Sequence, residues 1–481
     1  MRRPTRPSNA LPILLVVLLL GMSASATLYS DDRAELADDK SPLETHSNST
    51  GSLLYFPGSQ AGSVYSASTV QAGWLMTCAV LDNNEMRCWG SGTFGKLGTG
   101  DNIRAHHPRE VLLGYQSGTP SLATEVGQGS GSSGHHTCAL MIDSTLQCWG
   151  EDFLGQIGHG GSSGWHTTPY PVQMPLYKSA VQISNGGHHT CAIMEDDNTA
   201  EHSLYCWGSN NHGQVGIMLA SGAQPPELTI PTHVELPAGR SPIAISLGWD
   251  TSCAILDDGS GMCWGINDEG QLGVGTAGGN RTLPTPISIL PQNRTLAAIA
   301  IGTMHTCALL DDGSVGCWGK NDVGQFGDGT TASSTSFRYV SLPSGRTAIS
   351  IDVGKEHSCS ILDDSSSVCW GNNTDGQIGD GYAITRLTPT YVISPGGQTF
   401  STISTGMTHT CGIVSNGSLH CWGNHEYGQL GLGWDNLTAE PRDSDIPAWV
   451  NMSLQNTTFG GHVSLGERDA DHDGILSIFD P

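Results

Sequence analysis

Hydrophobic and polar residues alternate in short runs along most of the chain, and glycine-rich turns separate these runs. In one stretch, Ala298-Ile-Ala-Ile-Gly302 precedes His305-Thr-Cys307, a hydrophobic triplet, Asp-Asp-Gly313 and a second run that ends in Cys317-Trp-Gly. A period of two predicts strands, and Asp-Asp-Gly predicts a tight turn between two of them. A further run from 337 to 342 follows a Gly-Gln-Phe-Gly turn. The pattern therefore predicts a unit of four strands.

This unit recurs seven times, and each copy contains two cysteines, the second of which begins a Cys-Trp-Gly tripeptide. The tryptophans of these tripeptides are Trp89, Trp149, Trp207, Trp264, Trp318, Trp370 and Trp422. Six cysteine pairs are ten residues apart: Cys78 and Cys88, Cys138 and Cys148, Cys253 and Cys263, Cys307 and Cys317, Cys359 and Cys369, and Cys411 and Cys421. The remaining pair, Cys191 and Cys206, is fifteen apart. Repeated four-stranded units with periodic glycine and aromatic residues are typical of a β-propeller.

The spacing of ten places the two cysteines of a unit opposite each other in a hairpin. A three-residue loop often ends in a left-handed residue, and Gly259 is placed to supply it, so that Leu256 faces Ser260 and Cys253 faces Cys263. Opposed residues in an antiparallel pair are close enough for a disulfide. Zinc sites prefer cysteines two to four residues apart, which disfavours metal binding. We predict one disulfide in each unit.

The linked motifs Gly-x-x-His-(Thr or Ser)-Cys, Asp-Asp-Gly, Trp-Gly and Gly-Gln-hydrophobic-Gly resemble those of regulator-of-chromosome-condensation repeats, which also occur in alpha-tubulin-suppressor-like proteins. The resemblance extends over about residues 66 to 455. It implies an all-β, seven-bladed propeller of four-stranded blades, closed into one ring. The founding member of this family is a nucleotide-exchange factor that also binds chromatin, so an exchange-factor role is an alternative that depends on analogy alone.

Two recurring residue types are interpreted as structural. The histidine two residues before the first cysteine recurs as His136, His189, His305, His357 and His409, whereas Met76 and Thr251 occupy this position in two units. A position that tolerates methionine is poorly suited to catalysis, so we expect this histidine to form hydrogen bonds within its own blade. We expect the tryptophans to pack between blades.

Both ends of the chain differ from the repeats. Residues 1–26 have the basic, apolar and small-residue regions of a secretory signal, and residues 27–65 form a polar extension. We therefore expect a secreted or cell-surface protein without a transmembrane segment. The net charge of −25 disfavours nucleic acid as a partner, and it suits solubility or cationic partners.

The tail, residues 456–481, contains a candidate calcium loop at 469–480. The loop resembles those of EF-hands, dockerins and thrombospondin type 3 repeats, in which oxygen ligands alternate around a central glycine. The ligands would be Asp469, Asp471, Asp473, Ile475 through its carbonyl, Ser477 and Asp480. The alternative is an acidic tail that binds no ion.

No catalytic constellation emerges from the repeats. The Asp box of sialidase propellers places glycine three residues before the aromatic residue, whereas Gly313 precedes Trp318 by five. We expect a monomeric, non-catalytic scaffold for an extracellular protein or glycan, with an extracellular hydrolase using a loop site as the alternative. Three insertions are candidates for a recognition face or are tolerated changes in length: Gly127–Gly134, Gly160–Tyr170 with Trp165 and His166, and Asp196–His202.

Glycosylation would also fit export. Eight Asn-x-(Ser/Thr) sequons are present, at Asn48, Asn280, Asn293, Asn372, Asn416, Asn436, Asn451 and Asn456. In a chain this rich in serine, threonine and asparagine, several sequons arise by chance, so they add little weight.

Overall fold

The computed structural model describes residues 66–452, except 117–118, 129–133, 163 and 434–442. The predicted signal, the polar extension and the calcium loop at 469–480 lie outside these residues. Among the helices that fall within them, none has the length and apolar character needed to cross a membrane.

Seven four-stranded sheets follow one another along the chain, and each is one blade. Blade 1 contains β1 (Ala67–Ala72), β2 (Met76–Leu81), β3 (Met86–Gly90) and β4 (Ala105–Glu110). A small hairpin, β5 (Tyr115–Gln116) and β6 (Thr119–Pro120), precedes blade 2, which contains β7 (Ala123–Gln128), β8 (His136–Met141), β9 (Leu146–Glu151) and β10 (Trp165–Pro171). Blade 3 contains β11 (Lys178–Asn185), β12 (His189–Asp196), β13 (His202–Ser209) and β14 (Glu227–Val234). Blade 4 contains β15 (Pro242–Leu247), β16 (Thr251–Leu256), β17 (Gly261–Gly265) and β18 (Arg281–Pro286).

The remaining blades repeat this order. Blade 5 contains β19 (Leu296–Ile301), β20 (His305–Leu310), β21 (Val315–Gly319) and β22 (Ser334–Tyr339). Blade 6 contains β23 (Asp352–Val353), β24 (His357–Ile361), β25 (Ser367–Gly371) and β26 (Arg386–Tyr391). Blade 7 contains β27 (Phe400–Thr405), β28 (His409–Val414), β29 (Leu419–Gly423) and β30 (Ser444–Trp449). Two 3₁₀ turns lie at Thr93–Gly95 and Pro395–Gly397. The prediction of an all-β, seven-bladed propeller with four strands per blade is confirmed.

The strands of a blade pair in sequence order, and all pairs are antiparallel. The first strands of neighbouring blades contact one another, which places them at the centre of the ring. The ends of the blades form two faces. We call the face with the β2–β3 type hairpins the hairpin face. The opposite face carries the connections from first to second strand and from third to fourth strand, and we call it the turn face.

The predicted cysteine hairpins are confirmed. In blade 4, Cys253 pairs with Cys263 in the strand register, and the amide of Gly259, at a φ of +77°, donates to the carbonyl of Leu256. All seven cysteine pairs are disulfides with Cα–Cα distances of 4.0–4.1 Å, and no cysteine is free. Their side chains are fully buried. Each blade is therefore closed covalently within its own central hairpin.

The ring closes without exchange of a strand, because all four strands of blade 7 come from one continuous segment. Blade 1 meets blade 7 through an amide of Ala67 that donates to the carbonyl of Gly417, 3.2 Å away, and through a bond of 2.8 Å between Thr77 Oγ1 and His409 Nε2. The second of these contacts also occurs between other blades. The last seam of the ring is therefore built like the four other seams that carry the histidine bond.

Candidate functional site

The recurring histidines join neighbouring blades, so the expectation that they bond within their own blade is wrong. His357 Nε2 lies 2.9 Å from Thr410 Oγ1 of the next blade, and this hydroxyl donates to the carbonyl of Gln377 in the blade that carries the histidine. Because the hydroxyl hydrogen is used in that bond, Nε2 must be the donor. The same contact links His136 to Thr190, His189 to Ser252, His305 to Ser358 and His409 to Thr77.

These histidines are neutral in the folded ring. Burial lowers the pKa of each of the five to about 3. A neutral imidazole that is fully buried can fix a hydroxyl but cannot exchange protons with a substrate in solvent. The structure therefore supports the structural interpretation of this position, with the partner in the neighbouring blade.

The tryptophans pack between blades, as predicted. The indole of Trp422 donates to the carbonyl of Gln377 in blade 6, at 2.9 Å, which is the carbonyl that also accepts from Thr410. A Cβ at Gly379 would lie 2.6 Å from Trp422 Nε1, so the last glycine of the Gly-Gln-hydrophobic-Gly turn makes room for this ring. The other six tryptophans donate to the equivalent carbonyls: Trp89, Trp149, Trp207, Trp264, Trp318 and Trp370.

One position on the turn face departs from the repeat, because Lys96 replaces the glutamine that the other six units carry. In those units the glutamine oxygen accepts the amide two residues earlier, as Gln156 does from Leu154. A lysine ammonium cannot accept this bond. Lys96 is fully buried and donates instead to the carbonyl of Trp74, at 2.7 Å. Two residues before it, Phe94 has a left-handed φ of 58°.

The charge of Lys96 is costly where it lies. Burial lowers the pKa of its ammonium to about 7, and the carboxylate of Glu151 in blade 2 opposes this shift only in part. Burial likewise raises the pKa of Glu151 to about 6. Ionisable side chains with strongly shifted pKa values are more frequent at functional sites than elsewhere. The seam between blades 1 and 2 is therefore a candidate site.

Replacing Lys96 with the glutamine of the other units is expected to stabilise the protein by roughly 1–3 kcal/mol at pH 7, because a buried charge is removed. The folded pKa of about 7 lies below the unfolded value, so the cost to the wild-type protein decreases as the pH rises from 7 toward 10. Guanidinium unfolding of both proteins at pH 7 and pH 9.5 measures the difference. The two proteins should approach each other at the higher pH.

The matched control is Lys320→Gln, since the Lys320 ammonium is partly exposed and pairs with Asp322 at 2.8 Å on the same face. An exposed pair contributes about 0–1 kcal/mol, so this variant should change stability little. A Lys96→Gln protein that is less stable than the wild type at pH 7 would show that the buried ammonium stabilises the ring.

Aromatic side chains gather beside Lys96. The ring of Phe94 lies 6.1 Å from that of Phe153 and 6.0 Å from that of Trp165, and Phe153 and Trp165 are 6.3 Å apart. The ring of His135 packs on Phe94 at 5.1 Å. Phe153 and Trp165 are about half exposed, at 47% and 49%. We call Phe94, His135, Phe153 and Trp165 the aromatic sector.

Ionisable groups extend from this sector across blades 2 to 4. His188 Nε2 lies 3.9 Å from Glu151, and His212 Nε2 lies 3.8 Å from Asp250, whose carboxylate also accepts from Gln214. Burial raises the pKa of Asp250 and lowers the pKa of His188. The aromatic sector is thus bordered on one side by polar, partly desolvated groups.

Sequence reasoning identified part of this site. Trp165 belongs to the predicted insertion Gly160–Tyr170, and it pairs in register with Glu151 at the start of β10. Lys96 and Glu151 were missed, although the signal was present: a column-by-column comparison of the units shows lysine in place of glutamine. The insertion Gly127–Gly134 lies partly outside the described residues. The third, Asp196–His202, lengthens the β12–β13 hairpin on the opposite, hairpin face.

Comparison with known proteins agrees with this architecture. A model of the regulator of chromosome condensation (RCC1) repeat matches residues 145–193, 201–255, 258–309, 312–361 and 369–413. A second model of the repeat matches 67–96, 180–214, 243–271, 297–325, 348–377 and 400–429. Together the matches include all seven blades.

Curated relatives carry the same repeats in different contexts. The chain is 24% identical over 400 residues to the ultraviolet-B receptor UVR8 of Arabidopsis thaliana, which covers 83% of this chain and 85% of the receptor. It is 29% identical over 335 residues to the E3 ubiquitin-protein ligase HERC2 of Mus musculus, covering 69% of this chain but 6% of the ligase.

Solved structures show the same fold. Prp20p of Saccharomyces cerevisiae superposes with a TM-score of 0.63 at 22% identity, covering 77% of this chain and 86% of Prp20p. Human WBSCR16 superposes with a TM-score of 0.62 at 19% identity, covering 72% and 86%. Since the repeat model matches more than half of the sequence and the blades follow the repeats one by one, the chain belongs to the regulator of chromosome condensation (RCC1) repeat family.

Proposed function

We propose that this protein is an exported or cell-surface scaffold that binds a protein or glycan through the aromatic sector and does not catalyse a reaction. The observation that carries the proposal is the cluster of half-exposed aromatic rings at the seam of blades 1 and 2. Aromatic residues dominate the binding energy of many interfaces, particularly where polar groups surround them.

The rest of the ring favours this role. Each blade is fixed by a buried disulfide, and at the seam of blades 1 and 2 Thr137 and Trp149 both donate to the carbonyl of Lys96, so a ligand would meet a surface that needs little ordering. Seven disulfides also favour an oxidising compartment, in line with the signal-like residues 1–26. The yeast Prp20p structure was described together with its binding to Gsp1p and histones, so a ring of this fold can serve as a protein-binding surface.

Partner capture with matched aromatic variants tests the proposal. Immobilised wild-type protein, Phe153→Ala and Trp165→Ala are compared for binding from culture medium and on a glycan array. Loss of a hot-spot aromatic side chain should weaken binding by about tenfold or more. Tyr339→Ala and Tyr391→Ala serve as controls, because these rings are similarly exposed, at 55% and 51%, on the outer strands of blades 5 and 6.

The alternative, an extracellular hydrolase, is tested in the same preparations with ester and glycoside substrates. Turnover that a single loop variant abolishes would overturn the scaffold proposal. Undiminished binding by Phe153→Ala and Trp165→Ala would place the binding surface elsewhere.

A further inference from the structure

A second departure from the repeat lies in blade 2, beside the aromatic sector. In blades 3 to 6, a buried asparagine lies three residues after the tryptophan of the Cys-Trp-Gly tripeptide: Asn210, Asn267, Asn321 and Asn373. Its oxygen accepts the amide five residues later, and its NH₂ group donates to carbonyls of the following loop, as Asn267 does to Thr276 and Gly278. This position therefore requires a side chain that accepts a hydrogen bond on one side and donates on the other.

Asp152 occupies this position in blade 2. One carboxylate oxygen keeps the shared bond, accepting the amide of Ile157 at 3.0 Å. The other oxygen stands where blades 3 to 6 have an amide donor. A fully buried carboxylate oxygen requires protons or a cation near it. The side chain of Asp152 is completely buried, so the loop of blade 2 must supply such a group.

Two histidines of that loop supply the facing atoms. His159 Nδ1 lies 3.3 Å and His166 Nε2 lies 3.8 Å from the second oxygen of Asp152. The three atoms all lie within 4.8 Å of one another. Both ring nitrogens are buried, and neither makes a hydrogen bond within the described ranges. Two imidazole nitrogens and one carboxylate oxygen thus face one another at the distances expected of ligands that could share an ion.

We propose that Asp152, His159 and His166 bind a divalent transition-metal ion, with zinc as the best fit. Two nitrogen ligands and one carboxylate oxygen form a donor set that zinc uses with an open fourth position. Ligands roughly 2.0–2.2 Å from a tetrahedral ion are about 3.3–3.5 Å apart. The Asp152–His159 distance already has this value, and the side chain of His166, at 3.8 Å from Asp152, would rotate toward the other two ligands on binding.

Neighbouring residues hold the three ligand side chains in position. The ring of Tyr170 lies 5.0 Å from that of His159 and 4.9 Å from that of His166, so one aromatic side chain packs on both imidazoles. The amide of Asp152 donates to the carbonyl of Gly164, at 2.9 Å, which holds the insertion against the start of the turn. Calcium prefers six or more oxygen ligands, so this site and the oxygen-rich loop at 469–480 would select different ions.

Metal titration of the full-length protein tests this site. After treatment with EDTA and addition of millimolar calcium to occupy oxygen-rich sites, the protein is titrated with Co²⁺, and the visible d–d absorption is followed. Zinc is then added to displace the cobalt, and after dialysis the bound zinc is measured by elemental analysis. We expect one zinc per chain, and we expect zinc to displace the cobalt signal while calcium leaves it unchanged.

Asp152→Asn is the decisive variant, because four other blades fold with asparagine at this position. It should keep the circular dichroism spectrum and weaken metal binding by about tenfold or more, as should His166→Gln. His202→Gln is the matched control, since His202 faces Glu195 at 3.4 Å in an exposed pair. Absence of a d–d band in the wild type, or undiminished binding in Asp152→Asn, would overturn the assignment.

Discussion

Refolding in the presence of dithiothreitol is expected to leave this chain unfolded. In the chain-entropy model, each loop of about eleven residues closed by a disulfide contributes roughly 2.8 kcal/mol. Six such loops and the longer Cys191–Cys206 loop together exceed the 5–15 kcal/mol by which folded domains are usually stable. Guanidinium unfolding with and without reductant, followed by circular dichroism and tryptophan fluorescence, measures the effect.

A single blade provides the graded control. The double substitution Cys359→Ala and Cys369→Ala should lower the free energy of unfolding by about 3 kcal/mol and leave the other blades intact. Because the sulfurs are buried, reductant added to the native protein should react only as blades open. A reduced chain that unfolds at the same midpoint as the oxidised one would contradict the prediction, as would free thiols in the native protein.

Acidification from pH 6.5 toward pH 3 is expected to destabilise the ring steeply. The five seam histidines have a folded pKa of about 3, well below the unfolded value near 6.5, because burial disfavours the charged form. Between these values the unfolded chain binds protons that the native ring does not. Each histidine therefore costs roughly 1.4 kcal/mol for every pH unit within the window.

Other buried groups modify this dependence. Burial raises the pKa of Glu125 to about 7 and that of Glu151 to about 6, so these two carboxyls favour the native ring on acidification. Burial also raises the pKa of Asp250, Asp352 and Asp443, which act in the same direction as these two. Burial lowers the pKa of further histidines, to about 3 for His135 and about 4 for His106, so the histidines with lowered pKa values outnumber the carboxyls with raised ones. The net slope should therefore follow the histidines.

Guanidinium midpoints measured from pH 7 to pH 4 test this prediction. His357→Gln should lower the number of protons taken up on unfolding by about one, because burial alone accounts for its shift. His202→Gln, at the exposed pair with Glu195, should leave the slope unchanged. A stability that does not vary between pH 6.5 and pH 4 would show that the seam histidines are charged in the folded ring.

Much of the fold follows from local patterns in the sequence. The register of Cys253 and Cys263 follows from loop length alone, because a three-residue turn fixes which residues face each other. Repetition then extends one blade to seven. The seams were harder to predict: the acceptor for His357 is Thr410, 53 residues later, and only the packing of one blade on the next brings them together.

The candidate sites also combine features that are visible in the sequence with contacts that only the fold creates. The replacement of asparagine by Asp152 is visible when the units are compared, but the approach of His166 depends on the path of the insertion between them. Likewise, the replacement of glutamine by Lys96 is visible in the sequence, while its burial and the shift of its pKa come from contacts across the seam. Sequence comparison among the repeats finds the unusual positions, and the fold decides what surrounds them.

Two units lack the recurring histidine, so the seams between the blades are not all alike. Met76 offers its sulfur to Thr137, at 3.9 Å, and Thr251 turns to a carbonyl of its own blade, so the joints of blade 1 to 2 and of blade 4 to 5 lack the imidazole bond. These two seams divide the ring into a segment of three blades and a segment of four, and histidine bonds link the blades within each segment. On heating, we expect the blades to separate first at these two seams, one of which carries the aromatic sector.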